Sequence, residues 1–295
     1  MQGRIIKATG AQFVVSAPEG QLVCRARGRF RLEGEYPLAG DFVTAMSDGT
    51  GEGYGVISEV APRRNRLIRP PVANVDRLLI VASLAPPVTP LALVDYLTTL
   101  AEYHDIVPVI CFNKTDIEDA QSTAAMYHAL GYPAMAVSAV TGEGLSDLAE
   151  AIDDGLTVLT GYSGVGKTSL LNALIPGFSA RTGEISEKIG RGRQTTRHVE
   201  LLPFGQGYVA DTPGYSSFDA VEMEMTEKER LPWCFVEFRD FLGQCKYNDC
   251  THVSDEGCAI LQALKDGRIS PSRHESYTDL YERLKDVRQW QLKKK

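Results

Sequence analysis

A glycine-rich segment in the middle of the chain has the composition of a phosphate-binding loop. It runs Gly161, Tyr162, Ser163, Gly164, Val165, Gly166, Lys167, Thr168, which fits the pattern G-x-x-x-x-G-K-[ST]. A predicted strand, Leu156–Leu159, precedes it, and a predicted helix, 169–174, follows it. The glycines allow backbone N–H groups to converge on phosphate oxygens. We therefore expect Lys167 to contact the terminal phosphates of a nucleotide and the Thr168 hydroxyl to coordinate Mg²⁺.

A second motif, N-K-x-D, follows the predicted strand 107–112 and has the residues needed to recognise a base. In a parallel sheet, the carboxyl ends of the strands form the ligand crevice. The carboxylate of Asp116 can accept hydrogen bonds from guanine N1–H and from the exocyclic amino group. Asn113 and the aliphatic stem of Lys114 would frame the ring. Adenine has no donors at these positions and would leave a buried acid without partners.

A short Ser-Ala pair completes the predicted base site. Ser138 and Ala139 come directly after the predicted strand 134–137, where a backbone N–H can be offered to the guanine keto oxygen. Together with the phosphate loop, these residues predict binding of GTP and GDP. Binding of ATP is the weaker alternative.

Two further segments have the composition of nucleotide-dependent switches. Asp211 begins a D-T-P-G motif and is expected to hold Mg²⁺ through water, while the backbone N–H of Gly214 would contact the γ-phosphate. The preceding stretch, 181–197, is rich in Gly and Arg and is predicted to be a loop that nucleotide can order. Either Thr195 or Thr196 in this loop could coordinate Mg²⁺ in the triphosphate state.

The residue that positions the attacking water is not evident from the sequence. Ras-type enzymes place a Gln directly after the switch glycine, but here that position is Tyr215. Another group or a partner must therefore assist hydrolysis, and Gln194 and His198 are the candidates. We expect slow intrinsic turnover.

The order of these motifs is unusual. In ordinary GTPases the phosphate loop precedes the base-recognition motif, whereas here residues 113–116 precede residues 161–168. The same strands can form the same sheet, because chain ends that lie close together can be joined and the chain reopened elsewhere. The sequence therefore predicts a circular permutation, in which the second switch leads directly into the C-terminal region and nucleotide state could move that region.

Four residues near the C-terminus have metal-ligand spacing. Cys245, Cys250, His252 and Cys258 form the pattern C-x₄-C-x-H-x₅-C. Three sulfurs and one ring nitrogen suit tetrahedral Zn²⁺, and a full set of four ligands leaves no open position for catalysis. We predict one structural zinc ion that supplies much of the folding energy of the region 220–295.

The elements that precede these motifs predict a separate N-terminal module. Five short apolar stretches broken by turn residues suit a small β-barrel such as an OB-fold; they are 3–8, 12–16, 21–26, 41–46 and 54–60. Arg25, Arg27, Arg29 and Arg31 recur at a spacing of two, so they would share one face if the third strand continues that far. Such a row suits the phosphate backbone of RNA.

The central region alternates strands with helices, which predicts a mostly parallel sheet with helices on both faces. The segment 62–71 is predicted to be a linker, and a helix is expected after Pro271. The predicted organisation is an OB-fold domain over 1–62, a circularly permuted α/β P-loop GTPase domain over 63–219 and a mainly helical zinc-binding module over 220–295.

Composition excludes several classes of protein. The 295 residues carry a net charge of −7, which argues against a simple polycationic nucleic-acid binder. Charge is unevenly distributed, with ten basic residues against seven acidic in 1–70 and two against twelve in 71–160. No apolar run approaches the length of a membrane span, and the first ten residues lack a signal-peptide core. Six cysteines do not suggest a disulfide framework, so we expect a cytoplasmic protein without membrane partners. No motif calls for a dimer, and a monomer is expected.

Together these features resemble the circularly permuted GTPases that assist late maturation of the small ribosomal subunit, and the resemblance covers essentially the whole chain. It implies binding to the small (30S) subunit and its rRNA near the decoding region, GTP hydrolysis stimulated by that subunit, and departure of the factor with other assembly factors. The resemblance assigns residues 113, 114 and 116 to guanine. It assigns the segment from Gly161 through Ser169 to phosphates and Mg²⁺, and the four Cys and His residues to zinc.

One departure and two alternatives accompany this resemblance. Family members often carry a His just before the Thr pair of the first switch, where this chain has Gln194. A Gln can orient water through its amide but cannot accept a proton as an imidazole can. The first alternative function is a GTP-gated RNA-binding placeholder whose hydrolysis is incidental. The second is a GTPase that acts on another partner, such as transfer RNA.

Overall fold

The structure is a computed structural model that describes residues 1–28, 30, 36–47, 54–175, 177–178, 198–210, 225 and 227–285. The chain divides into two compact units, each described by itself below. The first unit comprises Met1–Leu79, Leu145–Thr160 and Gly166–Gly214. The second comprises Ile80–Gly144, Gly161–Val165 and Tyr215–Lys295. The predicted domain boundaries at 62/63 and 219/220 remain predictions.

The first unit begins with a five-stranded barrel. Its strands are β1 (Gln2–Thr9), β2 (Gln12–Ala17), β3 (Gly20–Ala26), β4 (Phe42–Ser47) and β5 (Tyr54–Val60). The strands pair in the order β1-β2-β3-β5-β4, and β4 pairs again with β1, so the sheet closes on itself. The pairing of β3 with β5 is parallel, while the other barrel pairings are antiparallel. This is the predicted OB-like arrangement.

Alternating residues of the barrel strands form its core. Ile5, Phe13, Val15, Cys24 and Ile57 are at most 1% exposed and pack together. Their neighbours in sequence point outward, as the two-residue period of a strand requires. The sequence pattern therefore placed these strands within one or two residues of their observed ends.

The segment predicted to be a linker is tied to the barrel. Arg63 donates from Nε and Nη2 to the two carboxylate oxygens of Asp41, both at 2.8 Å, and the side chain of Asp41 is fully buried. Two short strands, β6 (Arg66–Leu67) and β7 (Val72–Ala73), then pair antiparallel. A bidentate ion pair of this kind is geometrically specific, so the segment has a defined course.

A small part of the predicted α/β sheet belongs to the first unit. Its strands are β11 (Leu156–Thr160), β12 (His198–Phe204) and β13 (Gly207–Ala210). β11 and β13 run parallel, β12 and β13 form an antiparallel hairpin, and β12 pairs with β1 of the barrel. Helices α3 (Leu145–Ala151) and α4 (Lys167–Leu174) complete this part. The sequence did not predict β12.

The second unit contains the half of the predicted α/β domain that carries the N-K-x-D motif. β8 (Arg77–Ala82), which begins at the end of the first unit, leads to α1 (Leu91–Tyr103), β9 (Val107–Asn113), α2 (Gln121–Ala129) and β10 (Ala134–Val137). β9 lies between β8 and β10 and runs parallel to β10. The continuous apolar runs of β8 and β9 are buried, as expected of strands covered on both faces.

The C-terminal part of this unit is helical. Its described residues form two 3₁₀ helices, Lys228–Cys234 and Val236–Phe241, and two α-helices, α5 (Ala259–Lys265) and α6 (Pro271–Leu284). Phe235, Phe238 and Tyr277 pack with ring centroids 5.0–5.4 Å apart and form its core. Among the described residues, no helix is long and apolar enough to span a membrane.

Candidate nucleotide and metal sites

The phosphate loop follows β11 and leads directly into α4. Gly161, Gly164 and Gly166 have φ values of 140°, 81° and 96°, a region that favours glycine. A Cβ at Gly161 would lie 2.1 Å from the carbonyl oxygen of Val81, so no side chain fits at that position. Lys167 is the first residue of α4, two residues before the predicted start of this helix. The glycines therefore permit the backbone course on which the predicted phosphate contacts depend.

The base-recognition residues are joined by hydrogen bonds. The Ser138 hydroxyl donates to Oδ1 of Asp116 at 2.6 Å, and Asp116 is exposed. The second carboxylate oxygen can therefore serve a ligand. The backbone N–H of Ala139 donates to Oδ1 of Asn113 at 3.1 Å, so a keto oxygen at this N–H would share or replace that bond.

Asn113 also connects the base-recognition residues to the phosphate loop. Its side chain is 3% exposed, and Nδ2 donates to the carbonyl oxygen of Val165 at 2.9 Å. One side-chain amide thus bonds both the backbone of Val165 and that of Ala139. Asn113 therefore acts in this structure as a strut between two segments rather than only as a frame for the ring.

The sequence did not single out the loop 83–89 after β8, which contacts both motifs. Lys114 Nζ donates to the carbonyl oxygen of Pro86 at 2.8 Å, and a Cβ on Gly164 would lie 3.0 Å from Cγ of Pro87. The only sequence signal was a Pro-Pro pair immediately after a buried strand. The loop 83–89 therefore bonds Lys114 and lies close to Gly164 of the phosphate loop.

Most of the predicted switch residues belong to segments that the structure does not describe. Gln194, Thr195, Thr196, Asp211 and Gly214 lie outside the described residues. His198 is the first residue of β12, but its side chain is also outside the description. The roles of these residues therefore remain predictions.

The four predicted zinc ligands come together in one cluster, which we call the metal cluster. Their donor atoms all lie within 4.8 Å of one another. The Sγ atoms of Cys245 and Cys258 are 3.9 Å apart, and they lie 3.6 and 3.5 Å from Nδ1 of His252. A tetrahedral zinc ion would set these S–S and S–N separations at about 3.8 and 3.5 Å. The donor set therefore fits such an ion.

Neighbouring groups support the metal cluster. The backbone N–H of Ala259 donates to Sγ of Cys245, and that of Leu261 donates to Sγ of Cys258, at 3.4 and 3.5 Å. Such bonds help to hold the two sulfur atoms in place as ligands, as outer partners of metal ligands commonly do. Burial lowers the pKa of His252, which keeps its ring neutral and able to bind a metal.

The arginine row is only partly a strand face. β3 ends at Ala26, so the strand does not continue as far as the prediction required. Arg25 is exposed on β3 and lies over the ring of Tyr54, with 5.4 Å from Cζ to the ring centroid. Arg27 is exposed just after the strand, while Arg29 and Arg31 lie outside the described residues. Contact with RNA remains a prediction.

Comparison with known proteins gives consistent matches over nearly the whole chain. The family described as RsgA GTPase matches residues 60–221, and the RsgA N-terminal domain matches residues 2–54. Relatives named "Small ribosomal subunit biogenesis GTPase RsgA" include one from Caldanaerobacter subterraneus subsp. tengcongensis, 42% identical over 97% of this chain and 96% of its own. Another, from Bacillus cereus, is 40% identical over 97% of this chain and 98% of its own.

Two solved structures are also similar to this chain. YjeQ from Thermotoga maritima has a TM-score of 0.80 and 33% identity, over 97% of this chain and 99% of its own. YloQ, described as a circularly permuted GTPase, has a TM-score of 0.78 and 34% identity, over 97% of this chain and 96% of its own. The likeness to a permuted GTPase agrees with the order of the motifs in this sequence.

Proposed function

The chain belongs to the RsgA family of ribosome biogenesis GTPases, and on this premise we propose that it binds the small (30S) ribosomal subunit and assists its late maturation. It hydrolyses GTP to GDP and phosphate in a manner stimulated by that subunit. After hydrolysis it leaves the subunit together with other assembly factors. The family membership confirms the predicted enzyme class, a GTP hydrolase.

The observation that carries the guanine specificity is the hydrogen-bond set around Asp116. The Ser138 hydroxyl orients one carboxylate oxygen, which leaves the other for guanine N1–H and the exocyclic amino group. The bond from Asn113 to Val165 supports a base site and a phosphate loop held in fixed register. Adenine would leave the carboxylate without donors, so we expect strong selection against it.

We assign the phosphate-side roles to the loop and the switches. Lys167 contacts the terminal phosphates, Thr168 and one of the switch threonines hold Mg²⁺, and the backbone N–H of Gly214 contacts the γ-phosphate. Mg²⁺ would neutralise charge that develops between the β- and γ-phosphates. Gln194 and His198 are the candidates for positioning the attacking water. Because Tyr215 stands where Ras-type enzymes have a Gln, we propose that the subunit assists hydrolysis, as the family resemblance implies.

The second proposed ion is structural zinc in the metal cluster. Four protein ligands leave no position for water or substrate. All six cysteines are free of disulfides, which agrees with a reducing compartment. We therefore place the protein in the cytoplasm, with no membrane partner, and propose that it acts as a monomer bound to rRNA through the N-terminal barrel.

The test is GTP hydrolysis by the purified, zinc-loaded chain, alone, with small ribosomal subunits and with large subunits. Strong stimulation by the small subunit only is the expected result. Equal, slow rates in all three reactions would exclude subunit-activated catalysis. Tight GTP-dependent binding to the small subunit with such rates would favour the GTP-gated placeholder instead.

A further inference from the structure

A buried ion network joins the C-terminal helices to the helix before the N-K-x-D strand. Arg273 of α6 is 1% exposed and donates from Nη1 to Oδ1 of Asp95 in α1 at 2.8 Å. It also donates from Nε to Glu237, in the second 3₁₀ helix, at 2.6 Å. Both carboxylates are buried, with side chains 3% and 6% exposed. A buried charge that loses its partner is costly, so this network constrains all three helices together.

The network is fully partnered at its centre. Oδ2 of Asp95 accepts from the Ser276 hydroxyl at 2.7 Å, and Oδ1 also accepts from the Tyr127 hydroxyl at 2.8 Å. Burial alone would lower the pKa of Arg273, but Asp95 and Glu237 hold it above its ordinary value. The two carboxylates therefore stabilise the charged form of the buried guanidinium.

One arm of the network reaches the base-recognition residues. Tyr127 lies on α2, and its ring packs against Phe112 with the centroids 5.9 Å apart. Phe112 directly precedes Asn113, the strut between base site and phosphate loop. α2 itself leads into β10, after which Ser138 orients Asp116. A shift of Tyr127 would thus act on β9, which ends at Asn113, and on β10, which Ser138 follows.

The other arm reaches the metal cluster. His274 follows Arg273 on α6, and its Nε2 lies 2.8 Å from the carbonyl oxygen of His252, a metal-cluster residue. The Tyr277 hydroxyl, one turn further along, donates to the carbonyl oxygen of Thr251 at 2.7 Å. The same helix therefore carries the central arginine and two side chains that hold the backbone of the ligand loop.

We propose that Arg273 and Tyr127 are positioning residues that couple the metal cluster to guanine recognition, so that metal binding strengthens guanine-nucleotide binding. Both ends of this path belong to one compact unit. Because coupling is reciprocal, guanine nucleotide strengthens metal binding by the same factor. The inference rests on the proposed function, since it requires both a guanine site and a metal site.

The first experiment measures the affinity of the full-length chain for fluorescent GDP and fluorescent ADP, with zinc bound and after removal of zinc by a chelator. Zinc removal is expected to weaken GDP binding at least about fivefold, within the usual range of coupling between sites. The preference for GDP over ADP should fall as well, which general loss of stability would not produce. The reciprocal measurement is equilibrium zinc release to a competing chelator. GDP should raise the affinity of the chain for zinc by the same factor.

The second experiment uses variants that keep the metal ligands and the ion network. Tyr127→Phe removes only the hydroxyl that bonds Asp95 and leaves the ring against Phe112. Tyr132→Phe is the matched control, because the Tyr132 hydroxyl is buried and has no hydrogen-bond partner among the described residues. With zinc bound, Tyr127→Phe should reduce the GDP-over-ADP preference and the effect of GDP on zinc release, while Tyr132→Phe should change neither.

The outcomes separate the inference from the function beneath it. A zinc-loaded chain that fails to bind GDP would overturn both. Normal GDP binding that is unchanged within about twofold on zinc removal would overturn only the coupling. If the zinc-free chain unfolds, the zinc-loaded variants decide, and equal behaviour of Tyr127→Phe and Tyr132→Phe overturns the proposal.

Discussion

Asp116 is the residue on which the proposed base selection depends most directly. Asp116→Asn replaces an acceptor-only group by one that also donates, which suits the carbonyl that xanthine carries where guanine has an amino group. We expect affinity for GDP to fall about 10- to 100-fold, since hydrogen bonds to a charged group contribute about 1.5–3 kcal/mol. Affinity for xanthosine diphosphate should rise, and competition binding measures both.

The control for this change lies in the same loop. Glu118 is an exposed acid two residues later, and Glu118→Gln removes one charge without touching the base-recognition residues. It should leave both affinities unaltered. An Asp116→Asn chain that still prefers guanine would show that Asp116 does not contact the base.

Two glycines allow the cost of a close contact in the phosphate loop to be separated from the cost of a positive φ. Gly161 and Gly131 both have positive φ, 140° and 95°, but a Cβ meets the Val81 carbonyl at Gly161 and open space at Gly131. Gly131→Ala should cost roughly 1–2 kcal/mol of stability from backbone conformation. Gly161→Ala should add about 1–3 kcal/mol from overpacking and weaken nucleotide binding. Urea unfolding and GDP affinity test this, and equal effects of the two changes would contradict it.

At the scale of elements, the metal cluster is expected to hold the C-terminal helices together. Its loop is short and its ligands are brought together from residues with little regular structure between them. Cys258→Ser should abolish stoichiometric zinc and cause the C-terminal helices to unfold at lower temperature, because binding free energy is folding free energy here. Zinc content and circular dichroism with temperature are the measurements.

A second thiol provides the comparison. Cys24 is fully buried in the barrel core, away from any ligand set, so Cys24→Ser should retain one zinc per chain. Retention of zinc by Cys258→Ser would instead show that three ligands suffice, and loss of zinc by Cys24→Ser would show that the assay reports general unfolding.

The elements themselves differ in how far sequence predicts them. β5 and β10 match their predicted bounds, because alternating or continuous apolar runs ended by turn residues mark them clearly. β12 was missed, since its apolar residues follow a Gly- and Arg-rich stretch that suggested a loop. The prediction of a linker over 62–71 missed the defined course of this segment. The ion pair of Arg63 with Asp41 fixes that course, and it joins residues far apart in sequence.

The candidate sites show the same limit at the scale of the molecule. The motifs proposed to bind phosphate, guanine and zinc could be predicted from the sequence, because each of these ligands requires particular residue types at fixed spacing. The strut from Asn113 to Val165 and the ion pair from Arg273 to Asp95 span 52 and 178 residues, so no local pattern announces them. They are consequences of the fold, which decides which side chains meet.

At the scale of the whole molecule, the distribution of charge predicts how binding to the small subunit depends on salt. A chain with net charge −7 can bind rRNA only through a local basic surface, and the residues 1–70 are the basic part. If Arg25 and Arg27 each neutralise one phosphate, replacing both by Ala should make the salt dependence of small-subunit binding shallower by about 1.4–1.8 in the log–log slope. Replacing both by Lys keeps the charge and should preserve the slope, and GDP affinity reports correct folding. An unchanged slope for the Ala variant would show that the rRNA contacts lie elsewhere. Each phosphate contact that is lost lowers the number of counterions released on binding, and the slope measures that number.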